Sequence, residues 1–189
     1  MDMYGGMQMA KTMNSGKQFE KDFASSVPSC CYIHRLKDAA QSYNNSENTK
    51  FSWENPFDYF LFDGDILYCL ELKSTSQKYM GFQTDKNDKS SKMIKWHQIE
   101  SLTKASEYKN VVAGFLLNFR LDNGEQLTYF FNIKDFNRMK RDIDKKSFNI
   151  MDVVLYDAIK ILGTKKRVHW NWNIDSFLKE YRDKLNEEV

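Results

Sequence analysis

The chain has 189 residues, and its 41% hydrophobic and 15% aromatic content is enough to build a buried core, which excludes a wholly disordered protein. The formal net charge is only +2, so the molecule as a whole is not a polycation, and no apolar run approaches the length of a membrane span. The cysteines Cys30, Cys31 and Cys69 lack the spacing of a zinc site and predict reduced thiols in a cytoplasmic protein.

The N-terminal part predicts an arm followed by a helix. Residues 1–15 predict a flexible arm, whereas residues 16–189 show no domain boundary and predict a single domain. The helix is capped by Asn14 or Ser15 and extends to about Ser26.

One acidic residue of this helix can face the interior. Phe19, Phe23 and Val27 recur every four residues and form the apolar stripe. Glu20 lies one position off that stripe, so its carboxylate can point into the protein.

A first strand is predicted over residues 30–36, and the polar residues 37–54 then predict a flexible excursion.

A hairpin over residues 57–73 is the most informative segment. Asp63 and Gly64 stand between two apolar, aromatic-rich runs, which is a strong signal for a two-residue turn. With such a turn, counting back along the strands places Asp58 opposite Cys69.

The same hairpin predicts a pair of carboxylates beside a lysine. Strand side chains alternate, so Glu71 and Lys73 share the face of Cys69. Asp58 and Glu71 are then diagonal neighbours about 7–8 Å apart at the backbone. Two carboxylates at that spacing can bind one small hard cation, an arrangement suited to metal-assisted attack on a phosphodiester.

A solvated strand face is the alternative interpretation of Glu71 and Lys73. The apolar alternation argues against it, because a strand that is apolar on both faces is central and buried. Charges on a buried strand are costly unless they are paired or bound to metal. The apolar residues are Leu67 and Cys69 on the carboxylate face and Ile66, Tyr68, Leu70 and Leu72 on the other.

The remaining elements complete an α/β pattern. Residues 74–92 predict a long basic loop, of the kind that is usually functional or mobile. The next helix, over residues 93–108, carries Gln98 on a face adjoining its apolar stripe. The order helix, strand, strand, strand, helix, strand, strand predicts an α/β fold with a mixed sheet flanked by helices. The later elements are a hairpin over residues 111–119 and 126–133, a basic helix over 134–141, and helices over 152–162 and 175–186.

Two local windows are basic despite the low net charge. Residues 78–95 contain five lysines against two aspartates, and residues 134–146 contain six basic against three acidic residues. Such stretches can form a phosphate-binding footprint, although two solvated faces would have the same composition. The lysines of the first window, predicted to contact DNA, are Lys78, Lys86, Lys89, Lys92 and Lys95.

Four short motifs, in this order, resemble the PD-(D/E)XK nuclease superfamily and, within it, the RecU-type Holliday-junction resolvases. The similarity extends over residues 16–180 and includes the aromatic-rich C-terminal stretch. It implies a restriction-endonuclease-like core. The motifs are Gly16-Lys17-Gln18-Phe19-Glu20, Asn55-Pro56-Phe57-Asp58-Tyr59, Leu70-Glu71-Leu72-Lys73-Ser74 and Trp96-His97-Gln98-Ile99.

The resemblance implies a magnesium-dependent homodimer, with manganese as a substitute ion, that cuts four-way DNA junctions symmetrically. By position, Asp58 and Glu71 would be the metal ligands, together with the Leu72 carbonyl. Lys73 would orient the attacking water or stabilise the developing charge. Glu20 would lie in the outer metal shell, and Gln98 would hold Lys73 or the water.

One feature departs from the family. RecU-type enzymes carry a stalk between the first strand and the catalytic aspartate, whereas residues 37–54 are short and polar here. The alternatives are therefore a restriction-like or repair endonuclease on duplex DNA and a non-catalytic recombination accessory protein. Trp53 and Tyr79 could stack on unpaired bases or pack in small clusters.

The family also implies a cellular setting. It predicts a bacterial protein, or a phage protein in its bacterial host, acting in the cytoplasm. A strand-exchange recombinase and a branch-migration motor would be its partners.

The segment from Trp170 to Trp172 could form an interface or part of the core, and the core is favoured.

Overall fold

The structure, a computed structural model, describes residues 14–36 and 55–187. Its helices are α1 (Ser15–Ser26), α2 (Trp96–Ala105), α3 (Ile133–Asp142), α4 (Ile150–Leu155) and α5 (Ile174–Glu187). Its strands are β1 (Tyr32–Arg35), β2 (Tyr59–Phe62), β3 (Leu67–Thr75), β4 (Met80–Gly81), β5 (Val111–Arg120), β6 (Gln126–Asn132), β7 (Ser147–Phe148), β8 (Ile159–Ile161), β9 (Gly163–Lys165) and β10 (Trp170–Trp172).

A mixed sheet forms the centre of the molecule, in the strand order β1-β2-β3-β5-β6-β8. Strands β3 and β5 are parallel, because helix α2 carries the chain back across one face, and the other neighbours are antiparallel. Helices α1 and α5 pack on one face, and α2 and α3 pack on the other. The predicted α/β class, with a mixed sheet flanked by helices, is confirmed.

The apolar character of β3 on both faces places it in the middle of the sheet. Tyr68 and Leu70 pack in the core beneath α1 and α5, whereas Cys69 packs in the core beneath α2 and α3. Residues 68–72 of this strand are all buried. The prediction that Glu71 lies on a buried central strand is therefore confirmed.

The turn of the hairpin differs from the prediction. Phe62 pairs with Leu67, so the turn has four residues rather than two. The cause is the side chain of Asp63, whose Oδ1 accepts hydrogen bonds from the amides of Asp65 (3.1 Å) and Ile66 (2.8 Å). The register moves by two residues, which preserves the predicted faces but shifts Asp58 along the neighbouring strand.

Two predicted segments were wrong in part. The helix predicted over residues 152–162 is the short α4 followed by strand β8, in which Ile159 and Ile161 are buried and Lys160 is exposed. The reversal occurs at Asp157, which has φ 62° and cannot continue a helix. The basic loop is also not structureless, because β4 lies within it and pairs with β7.

The tryptophan segment contributes to the core. Trp172 is 2% exposed and stacks on Trp170 with ring centres 5.4 Å apart. The buried Asp22 accepts the Trp170 amide at 2.9 Å, which ties α1 to β10. The core assignment of Trp172 is confirmed.

Several predictions fall on residues outside the described part. The predicted arm, apart from Asn14 and Ser15, lies there, as do Trp53 and the predicted excursion over residues 37–54. The single-domain assignment stays a prediction. In residues 14–36 and 55–187, no helix is long and apolar enough to cross a membrane.

Substitution of Gly114 by alanine should destabilise the sheet. A Cβ atom there would lie 2.5 Å from the Phe131 carbonyl oxygen, which is backbone of the adjacent strand and has little freedom to move. Overpacking of this kind costs about 1–3 kcal/mol. Urea denaturation should show a lower midpoint for Gly114→Ala, whereas Gly16→Ala, whose Cβ makes an ordinary 3.5 Å contact in helix α1, should keep or raise the wild-type midpoint. Equal midpoints for wild type and Gly114→Ala would contradict the packing described.

Candidate active site

Glu71 is the central group of the candidate site. Its side chain is 3% exposed, and its Oε1 accepts hydrogen bonds from Lys73 Nζ at 2.7 Å and Gln98 Nε2 at 2.5 Å. Both donors therefore meet the same oxygen. The second oxygen, Oε2, has no hydrogen-bond partner among the described residues.

The start of α2 holds Gln98 in place. Gln98 Oε1 accepts the Lys95 amide at 3.0 Å, which leaves its Nε2 directed at Glu71. The Trp96 amide donates to Gln83 Oε1 at 2.8 Å, so a residue of the preceding loop satisfies another open N–H of the helix. Gln83 thus fixes the start of α2, and the start of α2 in turn fixes Gln98. No signal in the sequence indicated this role of Gln83.

Asp58 immediately precedes β2 and lies beside the C-terminal half of β3. Its amide donates to the Leu70 carbonyl at 3.0 Å, and its Oδ2 accepts the Leu72 amide at 2.8 Å. The N–H and C=O of one strand residue point to the same side, so the Leu72 carbonyl also faces the side of Asp58. The sequence prediction had placed Asp58 opposite Cys69, and the four-residue turn is the reason for the shift towards Leu72.

Burial raises the pKa of both carboxylates. Desolvation raises the pKa of Glu71 to about 7, although the neighbouring Lys73 ammonium opposes the shift. Desolvation also raises the pKa of Asp58, and its hydrogen bond from Leu72 and the charge of Lys73 oppose that shift. The charge of Asp58 further raises the pKa of Glu71, and the charge of Glu20 raises the pKa of both, which is typical of a site prepared for positive charge.

Glu20 approaches the same site from α1. Its negative charge contributes to the raised pKa of Asp58 and Glu71, which puts it within electrostatic range of both. Its own Oε2 pairs with Arg35 Nε at 3.0 Å, at the edge of the sheet. The sequence analysis gave no partner for Glu20, because the pairing depends on α1 lying beside β1.

The donor atoms suit a small hard cation. Within the described residues, no group of three or more Asp, Glu, His or Cys side chains is arranged to hold one metal ion. The candidate site instead has two carboxylates, those of Asp58 and Glu71, and the Leu72 carbonyl would add a third oxygen ligand. Magnesium is commonly bound by one or two carboxylates and keeps several waters, so these residues fit it.

The lysines predicted to contact DNA lie along the segment that precedes α2. Lys78, Lys86 and Lys89 are exposed, whereas Lys92 and Lys95 are half-buried. The aliphatic chain of Lys92 packs over Gly81, where a Cβ would lie 2.9 Å from it. Their contact with DNA stays a prediction.

Comparisons with known proteins add few functional facts. No protein-family model matches the chain. It is 34% identical over 134 residues to the SPbeta prophage-derived uncharacterized protein YotM of Bacillus subtilis strain 168, an alignment that covers 70% of this chain and 63% of the relative. The chain thus spans less than two thirds of that relative's length. Among solved structures, it is similar to a Holliday junction resolvase, Hjc, of the archaeon Archaeoglobus fulgidus, at 15% identity and a TM-score of 0.42, over 77% of this chain and 95% of that one.

The raised pKa of Glu71 predicts a pH-dependent stability in the absence of divalent ions. The folded state favours protonated Glu71, so this contribution is fully present below the ordinary pKa of 4.5 and is lost as pH rises through about 7. Urea denaturation between pH 5 and 8 should show the free energy of unfolding falling more steeply for wild type than for Glu71→Gln. Parallel profiles for the two proteins would contradict the burial described.

Proposed function

We propose that the protein is a metal-dependent DNA endonuclease that cleaves phosphodiester bonds of four-way junctions. The observation that carries the proposal is the meeting of Asp58, Glu71 and Lys73 near the end of β3, where each carboxylate has one oxygen without a hydrogen-bond partner among the described residues. Two carboxylates and a lysine at one strand end provide what phosphodiester hydrolysis needs: cation ligands and a fixed positive charge.

The chain's residues divide the work between them. Asp58 and Glu71, with the Leu72 carbonyl, would hold a magnesium ion, for which manganese is the expected substitute. When bound, the ion supplies Lewis-acid activation of the phosphate and of the attacking water. Lys73 orients that water and stabilises the charge developing on the phosphate, for which its ammonium is close to the carboxylates.

Gln98 is a positioning residue in this proposal. It donates to the same Glu71 oxygen as Lys73, so it fixes the rotamer of Glu71 and leaves the other oxygen for the cation. Glu20 acts through electrostatics or an intervening water, since its carboxylate pairs directly with Arg35. The sequence analysis had assigned Gln98 to Lys73 or the water, whereas its side-chain amide donates to Glu71.

The junction substrate rests on the resemblance to RecU-type resolvases. Symmetric cutting of a four-way junction needs two active sites, so the proposal includes a homodimer. A bacterial or phage recombination setting, in the cytoplasm and beside a strand-exchange recombinase and a branch-migration motor, follows from the same resemblance.

Cleavage should require both magnesium and Asp58. Asp58→Asn should lower junction cleavage roughly a thousandfold or more, because a lost cation ligand removes several kcal/mol of transition-state stabilisation. Junction binding without divalent ions should change less than about twofold, since no contact with DNA is removed. The assay follows a labelled synthetic four-way junction with and without magnesium, and Asp65→Asn, an exposed carboxylate of the same hairpin, is the control.

The products distinguish the substrates. Paired symmetric nicks that need magnesium and Asp58 support a junction resolvase. Preferential cutting of an equally long linear duplex in competition would overturn the junction assignment and leave a duplex endonuclease. Binding without products on any DNA would overturn the enzymatic proposal in favour of an accessory protein.

A stability measurement tests the metal site apart from activity. At pH 8, magnesium or manganese at ten times its Kd should stabilise the wild-type protein by about 1.4 kcal/mol, which raises Tm by about 3–5 °C for a chain of this size. Asp58→Asn and Glu71→Gln should lose most of that shift. An equal shift in all three proteins would place the ion elsewhere.

A further inference from the structure

The two basic windows, far apart in sequence, meet on one surface. Lys140 Nζ of α3 lies 4.2 Å from the centre of the Trp96 ring at the start of α2. Lys146 Nζ lies 3.8 Å from Asp88 Oδ2, and the Lys146 carbonyl accepts the Phe82 amide at 3.2 Å. The pairing of β4 with β7 holds the same two segments together.

We name this region the loop surface and define it by six lysines. Two aspartates lie among them. One of these, Asp88, accepts hydrogen bonds from the amides of Thr84 (3.2 Å) and Ser90 (3.0 Å), so its carboxylate stabilises the loop backbone. Within the described residues, the loop lysines and Lys140 form no ion pair, and Lys146 forms only the long contact with Asp88. The six are Lys86, Lys89, Lys92, Lys95, Lys140 and Lys146.

Two other basic residues of the second window face elsewhere. Arg138 pairs with Asp157 at 2.7 Å, and Lys145 pairs with Asp152 at 2.9 Å, both towards the α4 side of the molecule. The window therefore contributes Lys140 and Lys146 to the loop surface, and it uses Arg138 and Lys145 for internal ion pairs. This division is invisible in the sequence.

Two hydrogen bonds link the loop surface to the candidate active site. Lys95, one of its members, donates its amide to Gln98, and Gln98 donates to Glu71. DNA held on these lysines would thus lie next to the carboxylates. Trp96 is half-buried, and Lys140 covers one face of its indole, so that face is not free to stack on an unpaired base.

We propose that the loop surface binds the phosphate backbone of the duplex arm that leads into the Asp58–Glu71 site, through lysines of both windows at once. This inference rests on the proposed function for the identity of the ligand. Duplex DNA carries one phosphate charge per ~1.7 Å of its axis, so six lysines on one surface can meet several phosphates without reading sequence.

The test is the salt dependence of binding to a short linear duplex, measured with EDTA present. Lys140→Met, which keeps the packing on Trp96, and Lys89→Gln should each lower the slope of log K against log salt by about 0.9 and weaken binding about eightfold at 0.1 M salt. The double variant should lose about twice that slope. Lys134→Gln, an exposed lysine two turns earlier on α3 and outside the loop surface, should bind like wild type.

Either failure is informative. Wild-type slopes for both variants would overturn the inference, and so would a loss confined to Lys89→Gln, because α3 would then not touch the DNA. Unchanged thermal unfolding of each variant excludes misfolding as the cause. The binding assay contains no divalent ion, so it tests the loop surface separately from catalysis. Reduced slopes in the absence of any magnesium-dependent cleavage would support the loop surface and contradict the proposed enzyme. Asp58-dependent cleavage with unchanged slopes would support the enzyme and contradict the loop surface.

Discussion

The burial of the Glu71 carboxylate on a strand with apolar residues on both faces is the constraint on which the site depends. An ionised carboxylate in such surroundings is costly unless positive charge and hydrogen-bond donors accompany it. Lys73 and Gln98 supply part of that compensation, and both address one oxygen. The raised pKa of Glu71, about 7, shows that the compensation is incomplete. A divalent cation beside the other oxygen would complete it.

The fold brings Asp58 and Gln98 to Glu71 from two directions. Strand β2 starts opposite Leu70, short of the end of β3, which leaves the Leu72 amide to the side chain of Asp58. The parallel pairing of β3 with β5 requires a crossover, and the crossover helix α2 delivers Gln98. Each contact is a consequence of sheet topology, because the hydrogen-bonding edge of a strand is open only where its neighbour stops.

The same crossover carries both Gln98 and the lysines proposed to bind DNA. The loop that supplies Gln83 to the start of α2 also carries the lysines of the first basic window. Helix α3 adds Lys140 through its contact with Trp96. A net charge of +2 over the whole chain hides this local concentration, since acidic residues elsewhere, such as Asp152 and Asp157, neutralise other basic side chains.

The sequence by itself determined the fold class, the central position of β3 and the shared face of Glu71 and Lys73, because a strand that is apolar on both faces is buried in a sheet and its side chains alternate between the two faces. It did not determine the hairpin register, since the side chain of Asp63 enlarged the turn and moved Asp58 by two positions. Nor did it distinguish helix from strand over residues 159–161, where three residues are too few for periodicity to decide. Only the tertiary structure decided that Gln98 meets Glu71, that Glu20 meets Arg35 and that Lys140 joins the first basic window. These are contacts between elements distant in the chain, and local sequence carries no information about which side chains such packing will bring within hydrogen-bonding distance.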